Sequence, residues 1–335
     1  MYDRICMVTS AEVLGSIPKH LAMTQTILIM RTYFAFPLLL LVTLAYFLLP
    51  TPLISGGWPQ EKGKSFIKIT YGTSSSNTVY RFDGETKFPT DNGRATVRDY
   101  PLADRGIFCY LEHGITSDLT FIGDVTLKRS IITSPLERRS TEGVGDIGLG
   151  ARYRLLSSGP HVLSGRAGIS LPTGYSRDIT PPLGTGDINF SLAAEYGISF
   201  YPAPAYATAT LGYRMRPGIY ALSSLNDDSE EFEPNYSDVV TAEAEAGYTL
   251  FNRFLLKGNL RYLTTTRTDD NDFDIVHPPE TEQYLKVGGG VAASVWKNIG
   301  ISADMYATPL GKKTANSIDF FIGISWQGKI FGSQE

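Results

Sequence analysis

Residues Asp187–Phe200 read Asp-Ile-Asn-Phe-Ser-Leu-Ala-Ala-Glu-Tyr-Gly-Ile-Ser-Phe, and every second residue is apolar. Because successive side chains of a β-strand point to opposite faces, the even-numbered residues form one apolar face and the odd-numbered residues form a polar or small one. Strands of soluble sheets usually have about five or six residues. A transmembrane β-strand needs about 9–11 residues, with lipid on one side and a polar lumen on the other. The stretch therefore indicates a transmembrane β-strand.

The same alternation recurs from about residue 62 to the end of the chain. Gly143–Leu156 is very regular, with Ile147 and Leu149 on one face and Arg152 on the other. The predicted strands are Ser65–Tyr80, Gly106–Gly114, Leu119–Ile131, Gly143–Leu156, His161–Leu171, Asp187–Phe200, Ala205–Arg216, Ser237–Leu250, Phe254–Thr266, Gln283–Trp296, Ile299–Tyr306 and Ser317–Gln327. They amount to about twelve strands, and bacterial single-chain barrels have an even number.

The connections between these strands alternate in length. Short turns fall near residues 116, 158, 202, 252 and 297, and longer loops, including Thr133–Glu142 and Thr308–Asn316, fall between them. Short periplasmic turns and longer extracellular loops are typical of outer-membrane barrels. A soluble sandwich would place its polar strand faces in water and its apolar faces against a second sheet, but it would not explain the long strands and the unequal loops together. We therefore predict an all-β, antiparallel up-and-down transmembrane barrel over residues 64–328.

The N-terminal region has the pattern of an exported protein. Met30-Arg31 precedes the mostly apolar run Tyr33–Leu49, and proline, serine and glycine follow it. This order predicts a signal peptide over residues 30–57. The alternative is an uncleaved membrane anchor, which needs about 20 apolar residues. If Met30 is the true start, residues 1–29 are a start-site artefact.

Composition excludes several classes of function. The formal net charge is -4, so the chain lacks the basic footprint of a nucleic-acid-binding protein. Cys6 and Cys109 are its two cysteines, too few for a disulfide framework, and no Cys/His spacing resembles a zinc site. We expect no metal and no cofactor. The expected partners are outer-membrane lipid and small-molecule solutes, and the oligomeric state stays open.

Charged residues recur on the faces predicted to point inward. The candidate pore-lining residues are Arg152, Arg154, Arg166, Glu195, Arg214, Arg216, Glu243, Glu245, Lys257, Arg261, Lys286 and Asp304. A barrel of about twelve strands has a narrow lumen, so facing charges would set a transverse field across a water-filled path. Alternatively, the charges pair and rigidify a filled interior. We favour the path and expect Arg152 and Arg214 to line it.

A hydrolase with a Ser/His pair at the rim is the alternative enzyme class. The histidines are His20, His113, His161 and His277. A nucleophile needs a base within hydrogen-bond reach and a third group that orients the base. The sequence shows no such set, so we predict no catalytic residues.

Several motifs carry a resemblance to a known family. They are the Val-Gly-Asp-Ile-Gly-Leu-Gly-Ala-Arg-Tyr-Arg run within Gly143–Arg154, Ser170-Leu-Pro-Thr-Gly174, Leu183-Gly-Thr-Gly-Asp187, Leu211-Gly-Tyr-Arg214 and Glu112-His-Gly-Ile-Thr-Ser-Asp118. From about residue 64 onward, the chain resembles the transporter-like outer-membrane barrels known as meta-pathway phenol-degradation proteins. The resemblance implies passage of hydrophobic or aromatic compounds, and it brings no catalytic or binding motif.

The sequence therefore predicts an outer-membrane channel or facilitator for passive passage of small solutes. The second hypothesis is a non-transporting barrel whose long acidic loops bind a partner or ions at the cell surface. A plugged lumen would favour that second hypothesis, whereas a Ser/His contact at the rim would favour the hydrolase.

Overall fold

The computed structural model describes residues 57–87, 90–91, 94–95, 102–133, 138–173, 175, 181–219, 235–268 and 280–330. The predicted signal peptide, apart from Gly57, and the segment 1–29 lie outside these residues. Most of each predicted acidic loop, residues 220–234 and 269–279, also lies outside them. Within the described ranges, no helix is long and apolar enough to cross a membrane.

Twelve long antiparallel strands form a closed barrel. They are β1 (Lys64–Ser76), β2 (Leu102–Gly114), β3 (Leu119–Thr133), β4 (Arg138–Ser158), β5 (His161–Leu171), β6 (Asn189–Ser199), β7 (Ala205–Met215), β8 (Val239–Leu250), β9 (Phe254–Thr265), β10 (Gln283–Trp296), β11 (Ile299–Lys312) and β12 (Ile318–Lys329). Each strand pairs with the next, and β12 pairs with β1. The prediction of an all-β up-and-down barrel of about twelve strands is confirmed.

The outer face of the barrel is apolar. On β6, Phe190, Leu192 and Tyr196 are exposed, whereas Glu195 is only 4% exposed. Leu192 is 61% exposed, and Ile322 on β12 is 67% exposed. A continuous apolar surface of this kind marks a membrane-facing belt, because water would disfavour it. The facing predicted for β6 from its alternation is therefore confirmed.

Two hairpins extend further than the sequence predicts. β3 reaches Thr133 and β4 begins at Arg138, with Thr133 opposite Arg138 in the register. β11 continues to Lys312 instead of ending at Tyr306. The predicted loops at Thr133–Glu142 and Thr308–Asn316 are therefore wrong over most of their length. Backbone pairing continues past the apolar alternation because ladder hydrogen bonds do not depend on which side chains face lipid.

The two ends of the barrel differ. The end formed by the short connections, here called the turn end, includes residues 159–160 and 297–298. Both chain ends of the barrel, Lys64 and Lys329, also lie there, opposite each other in the β1–β12 register. At the other end, here called the loop end, Val79–Tyr80 leaves β1 and pairs with Thr314–Ala315 in a separate small sheet. The first strand therefore ends at Ser76 and not at Tyr80. By the rule for this class of barrel, the turn end is periplasmic.

Candidate functional site

A cavity of about 510 Å³, here called the central cavity, lies inside the barrel. Its charged lining residues are balanced in sign, five basic and five acidic. They are Lys68, Arg166, Lys257, Arg261, Lys286, Glu195, Glu243, Glu245, Asp304 and Asp319. The cavity is polar because the inward side chains alternate with the lipid-facing ones on every strand.

Many of these charges are paired across the lumen wall. Lys257 Nζ lies 2.8 Å from Asp304, and Arg261 Nε lies 3.1 Å from Glu243. Lys286 Nζ lies 2.5 Å from Asp319. A buried charge is tolerated only when it has a partner, and here the partners come from neighbouring or next-neighbouring strands. The wall of the central cavity is therefore charged but locally neutral.

One side of the central cavity is aromatic. Phe108, Tyr306 and Phe321 all point inward and line it. The ring centroids of Phe108 and Phe321 are 5.8 Å apart, and those of Tyr306 and Phe321 are 5.9 Å apart, both in edge-to-face geometry. Such aromatic pairs gain energy beyond simple area burial. The three rings, here called the aromatic wall, give a mainly polar lumen one surface on which an apolar group can lie.

A second cavity of about 230 Å³, here called the loop-side cavity, includes residues near the loop-side ends of their strands. Arg214, the penultimate residue of β7, and Asn189, the first residue of β6, line it. Arg166, Glu243 and Arg261 line both cavities. The two cavities therefore adjoin, and the charges they share lie where one meets the other.

The β5–β6 connection packs at the loop end of the barrel. Tyr175 is 6% exposed, donates its hydroxyl hydrogen to Asp146 and accepts a hydrogen bond from the Gly186 N–H at 2.9 Å. Burial, and then the bond to Asp146, raise the pKa of the Tyr175 phenol. This part of the connection is therefore anchored to β4 through a neutral tyrosine.

A short segment before β1 enters the turn end of the lumen. The Gly57 carbonyl accepts a hydrogen bond from Ser164 Oγ at 2.6 Å, and the Trp58 ring packs edge-on against Tyr206 at 6.1 Å. The Gln60 N–H donates to Thr120 Oγ1 at 2.8 Å, and its side-chain amide donates to Glu112 at 2.7 Å. These partners lie on β2, β3, β5 and β7. Residues 57–60 therefore lie across the lumen and narrow its turn end.

Arg152 belongs to a buried charge network and not to either cavity. Its side chain is 5% exposed and contacts Glu112 at 2.8 Å and Glu195 at 2.5 Å. Tyr110 donates to the same Glu112 at 2.6 Å. The expectation that Arg152 lines a path is corrected, because two carboxylates hold its guanidinium beneath the lumen surface.

Nine of the twelve predicted lining residues do line a cavity. They are Arg166, Glu195, Arg214, Glu243, Glu245, Lys257, Arg261, Lys286 and Asp304. Besides Arg152, the two exceptions lie towards the barrel ends. Arg154 donates to Asp118 of the β2–β3 turn at 2.7 Å, and this bond lowers the pKa of the Asp118 carboxyl. Arg216 lies beyond β7, with its guanidinium 5.5 Å from the centre of the Tyr236 ring.

Sequence reasoning missed Asp124 and the aromatic wall. Asp124 lines the loop-side cavity. The alternation of β2 contains the signal for Phe108, because Phe108 lies between Ile107 and Cys109 in the sequence and so faces the opposite way from them. An inward aromatic residue is easily overlooked when apolar residues are assumed to face lipid.

One Ser/His contact occurs at the turn end. Ser65 Oγ lies 2.7 Å from His113 Nδ1 on neighbouring strands. Both residues share the outward register of their strands, and Ser65 is 0% exposed. A nucleophile must be reachable by its substrate, so this contact does not provide a hydrolase site. His161 instead hydrogen-bonds the Tyr196 hydroxyl at 2.6 Å, and His277 lies outside the described residues.

The described part of the chain contains no metal site. Among the described residues, no group of three or more His, Cys, Asp or Glu side chains is arranged to hold an ion. Cys109 is a free, half-buried thiol on β2. The chemistry of the lumen therefore comes from its ion pairs, guanidinium groups and aromatic rings.

The closed barrel, its apolar outer belt and its charged interior define a transmembrane β-barrel of the bacterial outer-membrane type. No family model matches the chain, and no curated protein matches it. Among solved structures, the chain resembles an outer membrane channel from Pseudomonas putida F1 with a TM-score of 0.60 and 15% identity, over 81% of this chain and 98% of that one. This likeness confirms the outer-membrane barrel fold.

Two further solved structures are more distant. The Ralstonia pickettii toluene transporter TbuX gives a TM-score of 0.42 and 11% identity, over 81% of this chain and 90% of that one. The CymD monoaromatic hydrocarbon channel gives a TM-score of 0.42 and 10% identity, over 82% of this chain and 90% of that one.

Proposed function

We propose that this chain is an outer-membrane channel for the passive passage of small solutes. The observation that supports it best is the pair of adjoining cavities inside a closed barrel whose outer face is apolar. The solved structure with the same fold is itself described as an outer membrane channel. Charged side chains on the lumen wall keep such a path hydrated, because water and mobile ions solvate them.

The aromatic wall extends this proposal to solutes that carry an aromatic or hydrophobic group. Phe108, Tyr306 and Phe321 offer a surface for ring packing, while Lys257 and Asp304 lie in the same cavity. A solute with one apolar and one polar end can contact both kinds of surface as it passes. Pockets for small molecules commonly combine apolar surface with a few polar groups.

The test is passage of two matched sugars into proteoliposomes. Phenyl glucoside and methyl glucoside differ in the aromatic ring, and both are too polar to cross lipid quickly. We expect passage of both, with phenyl glucoside favoured, and we expect Phe321→Ala to reduce that preference. Phe320→Ala is the matched control, because Phe320 is 49% exposed on the lipid face next to Phe321. If neither sugar enters through a folded parent barrel, the proposed function is wrong.

The position of residues 57–60 favours a second function, that of a barrel that does not transport solutes. Their contacts with Ser164, Thr120 and Glu112 narrow the lumen at the turn end. A lumen closed in this way suits a barrel that does not transport and instead acts through its extracellular loops. Passage of a solute through the parent barrel distinguishes the two functions directly.

A further inference from the structure

The loop-side cavity contains an arginine that forms no ion pair with another described residue, although Glu282 and Asp124 interact with it at longer range. Arg214 lines this cavity together with Arg166 and Arg261. Arg166 Nε lies 3.1 Å from Glu195, and Arg261 Nε lies 3.1 Å from Glu243. Across the described residues, by contrast, Arg214 is within ion-pair distance of no carboxylate. Its guanidinium is therefore available to an anion that enters the lumen.

The barrel wall next to Arg214 carries only small residues. In the strand register Arg214 lies opposite Ser191, Ser191 opposite Gly168, and Gly168 opposite Gly150. These three small residues, here called the small-residue strip, all line the loop-side cavity. Adjacent strands are about 4.8 Å apart, so the strip extends roughly 14 Å around the wall from Arg214. A flat surface of backbone and one hydroxyl group therefore lies next to a guanidinium group.

The far end of the small-residue strip is apolar. Ile122 on β3 lies opposite Gly150, lines the cavity and is 5% exposed. Asp124, two residues further along β3, lines the same cavity. Asp124 interacts electrostatically with Arg166 and Arg214, so this part of the cavity offers no free cation to a second anionic group. A ligand with one carboxylate and a flat apolar body fits this order of groups.

The two glycines of the strip have contacts that keep the surface flat. A Cβ on Gly168 would lie 2.9 Å from Ser191 Oγ and 3.1 Å from the Leu149 carbonyl oxygen. A Cβ on Gly150 would lie 2.8 Å from the Ala167 carbonyl oxygen. Since real Cβ atoms essentially never approach so closely, the wall cannot gain side chains at these positions without moving. Ser191 is therefore the position at which a larger side chain can cover the strip.

We propose that the loop-side cavity is a binding subsite for small planar organic carboxylates, with Arg214 as the carboxylate partner and the small-residue strip as the surface under the ring. Guanidinium groups match carboxylates in geometry and form strong charge-assisted hydrogen bonds with them. The proposal rests on the proposed function for the way in which a ligand reaches the cavity. It adds the chemical class of the ligand and the residues that hold it.

The experiment measures equilibrium binding of benzoate to the purified full chain in detergent by isothermal titration calorimetry at low ionic strength. Cyclohexanecarboxylate, which has the same charge but no flat ring, and benzyl alcohol, which has the ring but no charge, are the matched ligands. We expect saturable benzoate binding, weaker cyclohexanecarboxylate binding and weaker benzyl alcohol binding still. Arg214→Gln should weaken benzoate binding by about tenfold or more, because a charge-assisted bond is lost.

Two variants make the result specific. Arg154→Gln removes an arginine that binds the β2–β3 turn outside both cavities, and it should leave benzoate affinity unchanged. Ser191→Leu keeps every charge but covers the small-residue strip, so it should weaken benzoate more than cyclohexanecarboxylate. If Arg214→Gln does not assemble, Ser191→Leu decides the question.

Three results would overturn the subsite. They are equal benzoate affinity in the parent and Arg214→Gln, benzyl alcohol binding as tightly as benzoate, and displacement of benzoate by an equal concentration of chloride. Binding in detergent does not require passage through a membrane. Benzoate binding without solute passage would leave the subsite standing and refute the proposed function, whereas passage without benzoate binding would refute the subsite alone.

Discussion

Arg152 donates from Nε to a Glu195 carboxylate oxygen at 2.5 Å, and the two side chains are 5% and 6% exposed. The same guanidinium bonds to Glu112 through Nη1 at 2.8 Å. One arginine on β4 therefore connects β2 and β6. Gln60 donates to that same Glu112, so the segment before β1 is attached to this network.

Removal of this arginine should destabilise the barrel strongly. Arg152→Met would leave Glu112 buried without a cation and Glu195 with Arg166 alone, and loss of one partner of a buried pair costs about 3–5 kcal/mol. The measurement is the free energy of unfolding in urea, followed by tryptophan fluorescence. Arg154→Met is the control, because its pair with Asp118 is partly exposed and should matter little. Unfolding at the parent's urea concentration in Arg152→Met would contradict this role.

A charge on the lipid face should be far less tolerated than one on the lumen face. Leu192→Arg or Ile322→Arg should cost about 2–4 kcal/mol near the bilayer midplane, because both side chains point to lipid. Ser191→Arg, one residue away on β6, places the charge in the lumen. The assay is the yield of folded barrel after assembly into lipid vesicles. Equal yields of Leu192→Arg and Ser191→Arg would show that the assigned facing is wrong.

The segment before β1 should limit conductance. Trp58 packs against Tyr206, and a Cβ at Gly197 would lie 2.9 Å from the Trp58 ring. Trp58→Ala removes this filling and should raise single-channel conductance in planar bilayers. Trp296→Ala is the matched control, because Trp296 is 66% exposed on the outer surface. A conductance unchanged by Trp58→Ala would mean that the path does not pass this segment.

Ion selectivity should depend on Arg214 more than on any charge of the central cavity. The central cavity has equal numbers of basic and acidic lining residues, whereas the loop-side cavity has Arg166, Arg214 and Arg261 against Asp124 and Glu243. Arg214→Gln removes the arginine without an ion pair, so the reversal potential in a salt gradient should shift towards cation preference. Arg154→Gln should leave it unchanged. Identical reversal potentials for the parent and Arg214→Gln would exclude Arg214 from the path.

Alternation in the sequence was sufficient to predict that the strands exist and which way β6 faces, but not where several strands end. Leu192 and Glu195 lie on opposite faces as their spacing requires, because the two-residue period of a strand is fixed by backbone geometry. The same argument placed Lys257, Lys286 and Asp304 inside the barrel. The face on which a side chain lies is thus set within its own strand, and the alternation of that strand alone predicts it.

How deeply an inward charged side chain is buried, and which residue it pairs with, could not be predicted from alternation. Arg152 and Arg166 lie opposite each other in the register, yet Arg152 is buried and Arg166 lines both cavities. The difference depends on Glu112 and Glu195, which come from strands distant in sequence. Arg154 bonds to the β2–β3 turn, and a register shift between Arg154 and Leu156 interrupts the β4–β5 pairing next to it. Residues 57–60 have no strand period, so nothing in the sequence placed them in the lumen.

Single-channel recording of the purified parent chain in a planar bilayer tests the central claim most directly. We predict discrete, reproducible current steps, because two adjoining hydrated cavities lie within the barrel. Their amplitude should increase in Trp58→Ala. A folded barrel that inserts into the bilayer and gives no current steps, in the parent and in Trp58→Ala alike, would contradict the channel function.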